Sequence, residues 1–213
     1  TAAKQYVSIN TCSIDMPAGP SELAVVADIS ANPAFVASDL LSQAEHGPDS
    51  QVLFITTEES LLEKVSAELA LQLEQLPRKE TATAALGHSR MLLFDSMEIV
   101  MKFINEYAPE HLILQTADAH TLAEQVTSSG SVFIGHFTPE SAGDYASGTN
   151  HTLPTNGWAR SVSGLNLDSF YKKITYQEIT KAGLQQLGPV IETMAGAELL
   201  HAHKNAVTIR IKK

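Results

Sequence analysis

The chain has 213 residues, of which 44% are hydrophobic and 18% are charged. This composition suffices for one sizeable domain and excludes an intrinsically disordered protein. The 24 acidic and 14 basic residues give a formal net charge of −10, which opposes nucleic-acid binding. No apolar run approaches the roughly 20 residues of a membrane-spanning helix, and the single cysteine, Cys12, cannot form an internal disulfide. We therefore expect a soluble, cytoplasmic protein without nucleic-acid or membrane partners.

Short apolar runs alternate with longer helical patterns through the first two thirds of the chain. The runs predict buried strands at residues 23–27, 52–56, 91–94, 111–114 and 131–134. Each run is followed by residues with apolar positions three and four apart, and Asn32-Pro33 is a typical start for the first of these helices. Strands that alternate with helices of this length predict an α/β fold with a mostly parallel sheet covered on both faces.

The pattern changes after residue 135. Residues 138–165 are rich in Gly, Ser, Thr, Asn and Pro and have no periodicity, which is typical of a functional loop. Residues 175–203 then predict a helix, and the alternation of Val207, Ile209 and Ile211 with polar residues predicts a short strand. We therefore predict a small appended unit, mainly helical, at residues 166–213.

Three places carry side chains suited to catalysis or metal binding. Gln43 and His46 leave the same face at the end of the first helix, where His46 is either a metal ligand or a surface residue that compensates the helix dipole. Glu110 and His111 stand where a helix ends and a strand begins, and strand ends are where open α/β sheets bind ligands. This pair is either an acid–base pair or a solvated corner. Asp144 lies among small residues that let a ligand approach closely.

Two histidines near the C-terminus, His201 and His203, leave a further choice open. On a continuous helix Glu198 and His201 share a face, whereas the directions of Glu198 and His203 differ by about 140°. Helical geometry alone therefore favours His201 as the partner of Glu198 in a site.

Five segments together resemble the signature sequences of the histidinol dehydrogenase family, in the family's order and over essentially the whole chain. They are IDMPAGPSE at residues 14–22, SDLLSQAEHGPDS at 38–50, PEHL at 109–112, ESAGDYASGTNH at 140–151 and AHKNAVT at 202–208. Motifs this long and this numerous are specific. The resemblance implies an incomplete Rossmann-like α/β domain and an enzyme of histidine biosynthesis.

The family oxidises L-histidinol through L-histidinal to L-histidine with two NAD+, uses one Zn2+ per site and is homodimeric. Carried over by motif, the catalytic pair is Glu110 and His111, with His111 as base in both oxidations and Glu110 as the group that activates water. The implied zinc ligands are Gln43, His46, Asp144 and His203. The implied substrate contacts are Ser21, Gln43, His46, His111, Asp144, Glu198 and His203. The resemblance thus replaces His201 by His203 and implies that the helix ends or turns before His203. It also implies that Glu198 and His203 complete the site of the partner subunit.

Known members of the family are about twice as long, and the matching begins well inside their sequences. The resemblance therefore implies that residues 1–20 are the tail of an absent N-terminal, NAD-side domain. Residues 21–165 are then part of the catalytic domain, and residues 166–213 are the unit for dimerisation and completion of the site. Most NAD+ contacts lie in the absent half. Two alternatives remain: a zinc hydrolase that uses Glu110 and metal-bound water, or a catalytically silent module that binds zinc or histidinol.

Overall fold

The computed structural model describes residues 2–17 and 19–212. Ala18, which belongs to the first motif of the resemblance, lies outside the described residues together with the two terminal residues. The chain divides into two compact units, of which the first runs to Phe170 and the second begins at Tyr171.

The first unit is built on a five-stranded sheet. Its strands are β1 (Glu22–Ala27), β2 (Gln51–Thr56), β3 (Arg90–Leu93), β4 (His111–Gln115) and β5 (Ser131–Ile134). The strand order is β3-β2-β1-β4-β5, and every pairing is parallel. This order is that of the first five strands of doubly wound dinucleotide-binding folds. The predicted α/β fold with a mostly parallel sheet is therefore confirmed.

Two apolar layers cover the sheet, one on each face. Alternate residues of β1 enter different layers: Leu23 and Val25 join one core cluster, and Ala24 and Val26 join the other. This alternation follows from the two-residue period of a strand, and a strand buried on both faces becomes an uninterrupted apolar run.

Helices complete both layers of the first unit. The described helices are α1 (Ala2–Asn10), α2 (Pro33–Ala44), α3 (Glu59–Leu73), α4 (Lys79–Leu86), α5 (Met97–Tyr107), α6 (Ala119–Ala123) and α7 (Glu140–Tyr145). Helices α2, α3 and α4 pack on one face, and α5 and α6 pack on the other. The start of α2 is fixed by Asn32, whose side chain accepts a hydrogen bond from the N–H of Ala34 at 2.9 Å.

The segment expected to be a loop contains regular structure. Helix α7 occupies its first part, and a short 3-10 helix lies at Trp158–Arg160; a second 3-10 helix, Leu167–Phe170, follows the segment. The apolar pattern of the sequence does not predict α7, because its six residues, ESAGDY, are too few and too small to form an apolar stripe.

The second unit consists of α8 (Lys181–Ala197) and α9 (His201–Ile211). The predicted strand at Val207–Ile211 is wrong, because these residues belong to α9. A methyl group on Gly188 of α8 would lie 3.2 Å from Ile211 Cδ1 and 3.3 Å from Val207 Cγ1. Val207 and Ile211 are four residues apart, so they share one helical face and pack together against α8.

The predicted continuous helix over residues 175–203 is also wrong. Helix α8 begins later, where the Thr180 hydroxyl accepts a hydrogen bond from the N–H of Gly183 at 3.1 Å. The chain then turns at Leu199, which has a φ of 61°, and α9 begins at His201. This break is the one that the motif resemblance implied before His203.

Among the described residues, no helix combines the length and the apolar character that a membrane crossing requires.

Candidate active site

The site residues predicted in the first unit gather at the amino edge of the sheet. His111 opens β4 and pairs with Leu23, next to Glu22, the first residue of β1. Open α/β sheets usually bind ligands at the carboxyl edge, whereas these predicted residues lie at the amino edge. The amino edge can hold a site because α2 runs back to it from the end of β1, with Gln43 in its last turn and His46 just beyond.

The backbone of Glu22 holds both members of the acid–base pair. Its N–H donates to Glu110 Oε2 at 2.9 Å, and its carbonyl oxygen lies 3.2 Å from His111 Nδ1. A carbonyl oxygen only accepts, so this contact requires the proton on Nδ1. In this tautomer Nε2 of His111 carries a free lone pair and is able to act as a base.

Burial sets the protonation of both groups. It lowers the pKa of the His111 imidazole, because the charged form loses its water, and it raises the pKa of Glu110 to about 8. Repulsion from the carboxylates of Glu22 and Asp144 adds to the rise for Glu110, whereas the N–H of Glu22 opposes it. At neutral pH His111 is therefore a neutral imidazole.

Helix α7 brings two more carboxyl groups to the pair. Glu140 Oε1 lies 3.9 Å from His111 Nδ1, and Asp144 follows one turn later on the same face of α7. The helix sits close to β5, because a methyl group on Gly143 would lie only 2.7 Å from a ring carbon of Phe133. Glycine at residue 143 thus allows α7 to reach the site.

Three side chains form a group suited to a metal ion. One ligand atom from each of His46, Glu140 and Asp144 lies within 4.8 Å of the other two. Burial, followed by repulsion from Asp144, raises the pKa of Glu140 to about 9. A divalent cation among these groups would offset their mutual repulsion, and imidazole and carboxylate are ordinary ligands of such a cation.

The side chain of Gln43 also fits a metal site. It is completely buried, and neither its amide oxygen nor its amide nitrogen has a hydrogen-bond partner in the structure. Buried amides are almost always paired, so such an orphaned group indicates a missing ligand. The residues present therefore fit a bound divalent cation.

Two cavities at the amino edge have Ser21 in common. One, of about 220 Å³, is also lined by Glu110 and His151. The other, of about 390 Å³, is also lined by His46. Ser21 thus borders both the cavity that Glu110 lines and the cavity that His46 lines.

The remaining two predicted site residues belong to the second unit. Glu198 is the C-terminal cap of α8, and His203 lies in the first turn of α9. Both side chains are exposed, and so is that of His201.

Sequence reasoning missed two buried carboxyl groups, Glu22 and Glu140. Both belong to the five segments described above: Glu22 ends the segment at residues 14–22, and Glu140 begins the segment at residues 140–151. Glu140 could have been found from its spacing, since it precedes Asp144 by four residues. Glu22 could not, because its contacts with Glu110 and His111 depend on the pairing of β1 with β4.

Comparisons with known proteins agree with one another. A family model described as histidinol dehydrogenase matches residues 1–211. The chain is 59% identical to the histidinol dehydrogenase of Bacteroides thetaiotaomicron, over 99% of this chain and 49% of that relative. It is 53% identical to the histidinol dehydrogenase of Salmonella typhimurium, with the same two coverages of 99% and 49%.

Solved structures give the same result. The crystal structure of histidinol dehydrogenase from Elizabethkingia anophelis matches with a TM-score of 0.95 and 58% sequence identity, over 100% of this chain and 49% of that chain. The chain thus spans about half the length of the relatives it matches.

Proposed function

The chain belongs to the histidinol dehydrogenase family, and on this premise we propose that it supplies the metal-binding and acid–base groups of that enzyme. The proposed reaction oxidises L-histidinol through L-histidinal to L-histidine with two NAD+. One juxtaposition carries the proposal: Glu140 Oε1 lies 3.9 Å from Nδ1 of His111, and Glu140 also belongs with His46 and Asp144 to the metal-type group.

The proposed metal is Zn2+, held by Gln43, His46 and Asp144 of one subunit and by His203 of the other. When bound, the zinc ion would supply a positively charged anchor for the imidazole and amine nitrogens of the substrate. Ser21, between the two cavities, is proposed to contact the same substrate. These contacts would place the alcohol carbon in front of His111, and fixed placement of this kind contributes strongly to rate.

In the first oxidation His111 acts as the base. Its Nε2 accepts the proton of the substrate hydroxyl while the hydride on the same carbon passes to NAD+, which leaves the aldehyde, NADH and one proton. The Nδ1–H bond to the carbonyl oxygen of Glu22 keeps the ring in the required tautomer.

In the second oxidation Glu110 accepts a proton from water as the water oxygen adds to the aldehyde carbon. The hydrate anion that forms then transfers its remaining hydroxyl proton to His111, which has released its first proton to solvent, and its hydride to a second NAD+, which gives the carboxylate. The NAD+ contacts are proposed to come mostly from the half of the family sequence that this chain does not span.

The proposed assembly is a homodimer in which residues 166–213 of one subunit complete the site in residues 21–165 of the other. Four apolar side chains of α8 support it, because they are exposed in the single chain: Leu187, Val190, Ile191 and Met194. An exposed apolar face of this kind is typical of an interaction surface.

The test is NADH formation with L-histidinol and zinc, measured for this chain alone and for this chain together with the N-terminal half of a relative. We expect two NADH per L-histidinol consumed in the completed enzyme, and none with His111→Asn. Cleavage of esters or amides without NADH in either sample would show a zinc hydrolase instead. Zinc binding without either activity would show a silent binding module.

A further inference from the structure

Glu140 is the most deeply buried carboxyl group of the site, and the proposed mechanism gives it no part. Its exposed fraction is 1%, and neither of its carboxyl oxygens has a hydrogen-bond partner in the structure. Burying a carboxyl group without a hydrogen-bond partner destabilises the folded chain even when the group is neutral. A group retained under such a cost is expected to find its partner when the site is loaded.

The surroundings of Glu140 restrict what that partner can be. Its carboxyl group lies 3.9 Å from Nδ1 of the base His111 and within 4.8 Å of ligand atoms of His46 and Asp144. Asp144 offers no N–H group, and the Nδ1–H of His111 already points to the carbonyl oxygen of Glu22. Among these three side chains the ring of His46 is the one left to donate, and one of its nitrogens lies within 4.8 Å of a Glu140 carboxyl oxygen.

A histidine that binds a metal through one ring nitrogen presents an N–H on the other. This N–H almost always donates to a carboxyl group, a carbonyl oxygen or water, which fixes the orientation of the ring. We propose that Glu140 is a positioning residue that accepts the free ring N–H of His46 when His46 binds the metal. This inference rests on the proposed function of the site. It adds Glu140 as a support for one of the four residues that the resemblance implies as ligands.

The arrangement has a consequence for the geometry of the reaction. Glu140 lies within 4.8 Å of a His46 ring nitrogen and 3.9 Å from Nδ1 of His111, so a hydrogen bond to His46 would fix the spacing between the two rings. Helix α7 carries Glu140 and Asp144 four residues apart, on one face. One short helix therefore supplies both a ligand and the support of a second ligand.

The experiment compares the affinity of the chain for Zn2+ alone, by competition with a coloured chelator, among three variants. Glu140→Gln keeps a side-chain carbonyl oxygen that can accept the N–H, whereas Glu140→Met fills the same space without an acceptor. Glu45→Gln, which removes a different carboxyl group from the wall of the cavity that Glu140 also lines, is the matched control. We expect Glu140→Met to weaken zinc binding about 10–100-fold, and Glu140→Gln and Glu45→Gln to stay within about threefold of the natural chain.

A second readout follows the His46 ring directly. In the zinc-loaded chain, nuclear magnetic resonance should show a slowly exchanging ring N–H of His46, retained in Glu140→Gln and lost in Glu140→Met. A role limited to packing does not predict this signal.

Each other outcome overturns the inference in a distinct way. If Glu140→Met binds zinc as tightly as the natural chain, Glu140 only fills space. If Glu140→Gln is as weak as Glu140→Met, Glu140 is itself a ligand. If the natural chain binds no zinc, or binds it equally well after His46→Ala, the proposed function fails and this inference fails with it.

Discussion

Glu110 and His111 have different roles in the proposed proton transfers, because burial raises the pKa of Glu110 and lowers the pKa of His111. Burial keeps His111 neutral, and so ready to accept a proton in either oxidation, while it raises the pKa of Glu110 to about 8. Only the step that needs an ionised Glu110, the addition of water to the aldehyde, should therefore depend on this carboxyl group.

The first prediction concerns Glu110→Gln in the completed enzyme. We expect oxidation of L-histidinal to slow by about 100-fold or more, and oxidation of L-histidinol to the aldehyde to stay within about tenfold. In the natural enzyme the rate of aldehyde oxidation should rise as pH increases toward 8, because the ionised fraction of Glu110 increases. This rise should vanish in the variant. NADH absorbance with each substrate gives both rates, and an equal loss of both steps would contradict the role of Glu110.

The second prediction concerns Asp39, which is 6% exposed and whose Oδ2 accepts a hydrogen bond from Gln115 Nε2 at 2.7 Å. Burial raises its pKa from 3.8 to about 7. Below pH 3.8 the folded and unfolded chains both hold the proton, and between about 4 and 7 only the folded chain keeps it. The free energy of unfolding therefore falls as pH rises, by up to about 4 kcal/mol at about 1.4 kcal/mol per pH unit.

Asp39→Asn removes this titration and keeps an oxygen for Gln115. Urea denaturation should thus show little difference from the natural chain near pH 4 and a more stable variant near pH 8. Asp95→Asn, at an exposed position, is the control and should show no such trend. A variant that is less stable at pH 8 than the natural chain would refute the argument.

At the scale of elements, the position of α7 depends on the absence of a side chain at Gly143. A methyl group there would meet the Phe133 ring at 2.7 Å, so α7 would have to move away from β5 together with Glu140 and Asp144. We expect Gly143→Ala to reduce the unfolding free energy by about 1–3 kcal/mol and to weaken zinc binding.

Two companion variants check this third prediction. Gly196→Ala, at a position where the nearest atom is 3.9 Å away, should leave both properties nearly unchanged. Phe133→Leu combined with Gly143→Ala should recover much of the zinc affinity, because it makes room for the methyl group. Full zinc affinity in Gly143→Ala alone would show that the close contact does not position α7.

The sequence predicts a helix or strand well where its apolar pattern extends over enough residues to exclude other patterns. The buried runs of β1 and β4 and the apolar stripe of α2 exceed any competing pattern. Val207, Ile209 and Ile211 fit a two-residue period, but Val207 and Ile211 also fit a four-residue one. Contact with Gly188 of α8 decides between the two periods, and no local pattern reports that contact.

The residues of the candidate site likewise differ in how well the sequence predicts them. Motif resemblance is enough to select Glu110, His111 and Asp144. The contacts of Glu22 need the register of β1 against β4, which is a long-range property. The role of Glu140 needs its burial without a partner, which appears only when side chains are placed in three dimensions.

At the scale of the whole molecule, the proposed zinc ligands belong to different compact units. Gln43, His46 and Asp144 lie in the first, and His203 lies in the second. His201 shares a face with Glu198 only on a continuous helix. The break at Leu199 removes this continuity.

The fourth prediction tests whether two subunits share one site. Asp144→Ala and His203→Ala should each be inactive in the completed enzyme. Co-expressed in equal amounts, they should recover about a quarter of the natural activity, because half of the dimers are mixed and each mixed dimer has one site with both natural residues. No recovery in mixed dimers of confirmed composition would mean that both ligands come from one chain.

The zinc content of the chain after dialysis tests the central claim, that the crevice at the amino edge is a metal centre completed by His203. We expect one zinc ion per chain, a loss of zinc in Asp144→Ala and in His203→Ala, and full retention in His201→Ala. Full zinc in Asp144→Ala, or loss in His201→Ala with retention in His203→Ala, would contradict the claim.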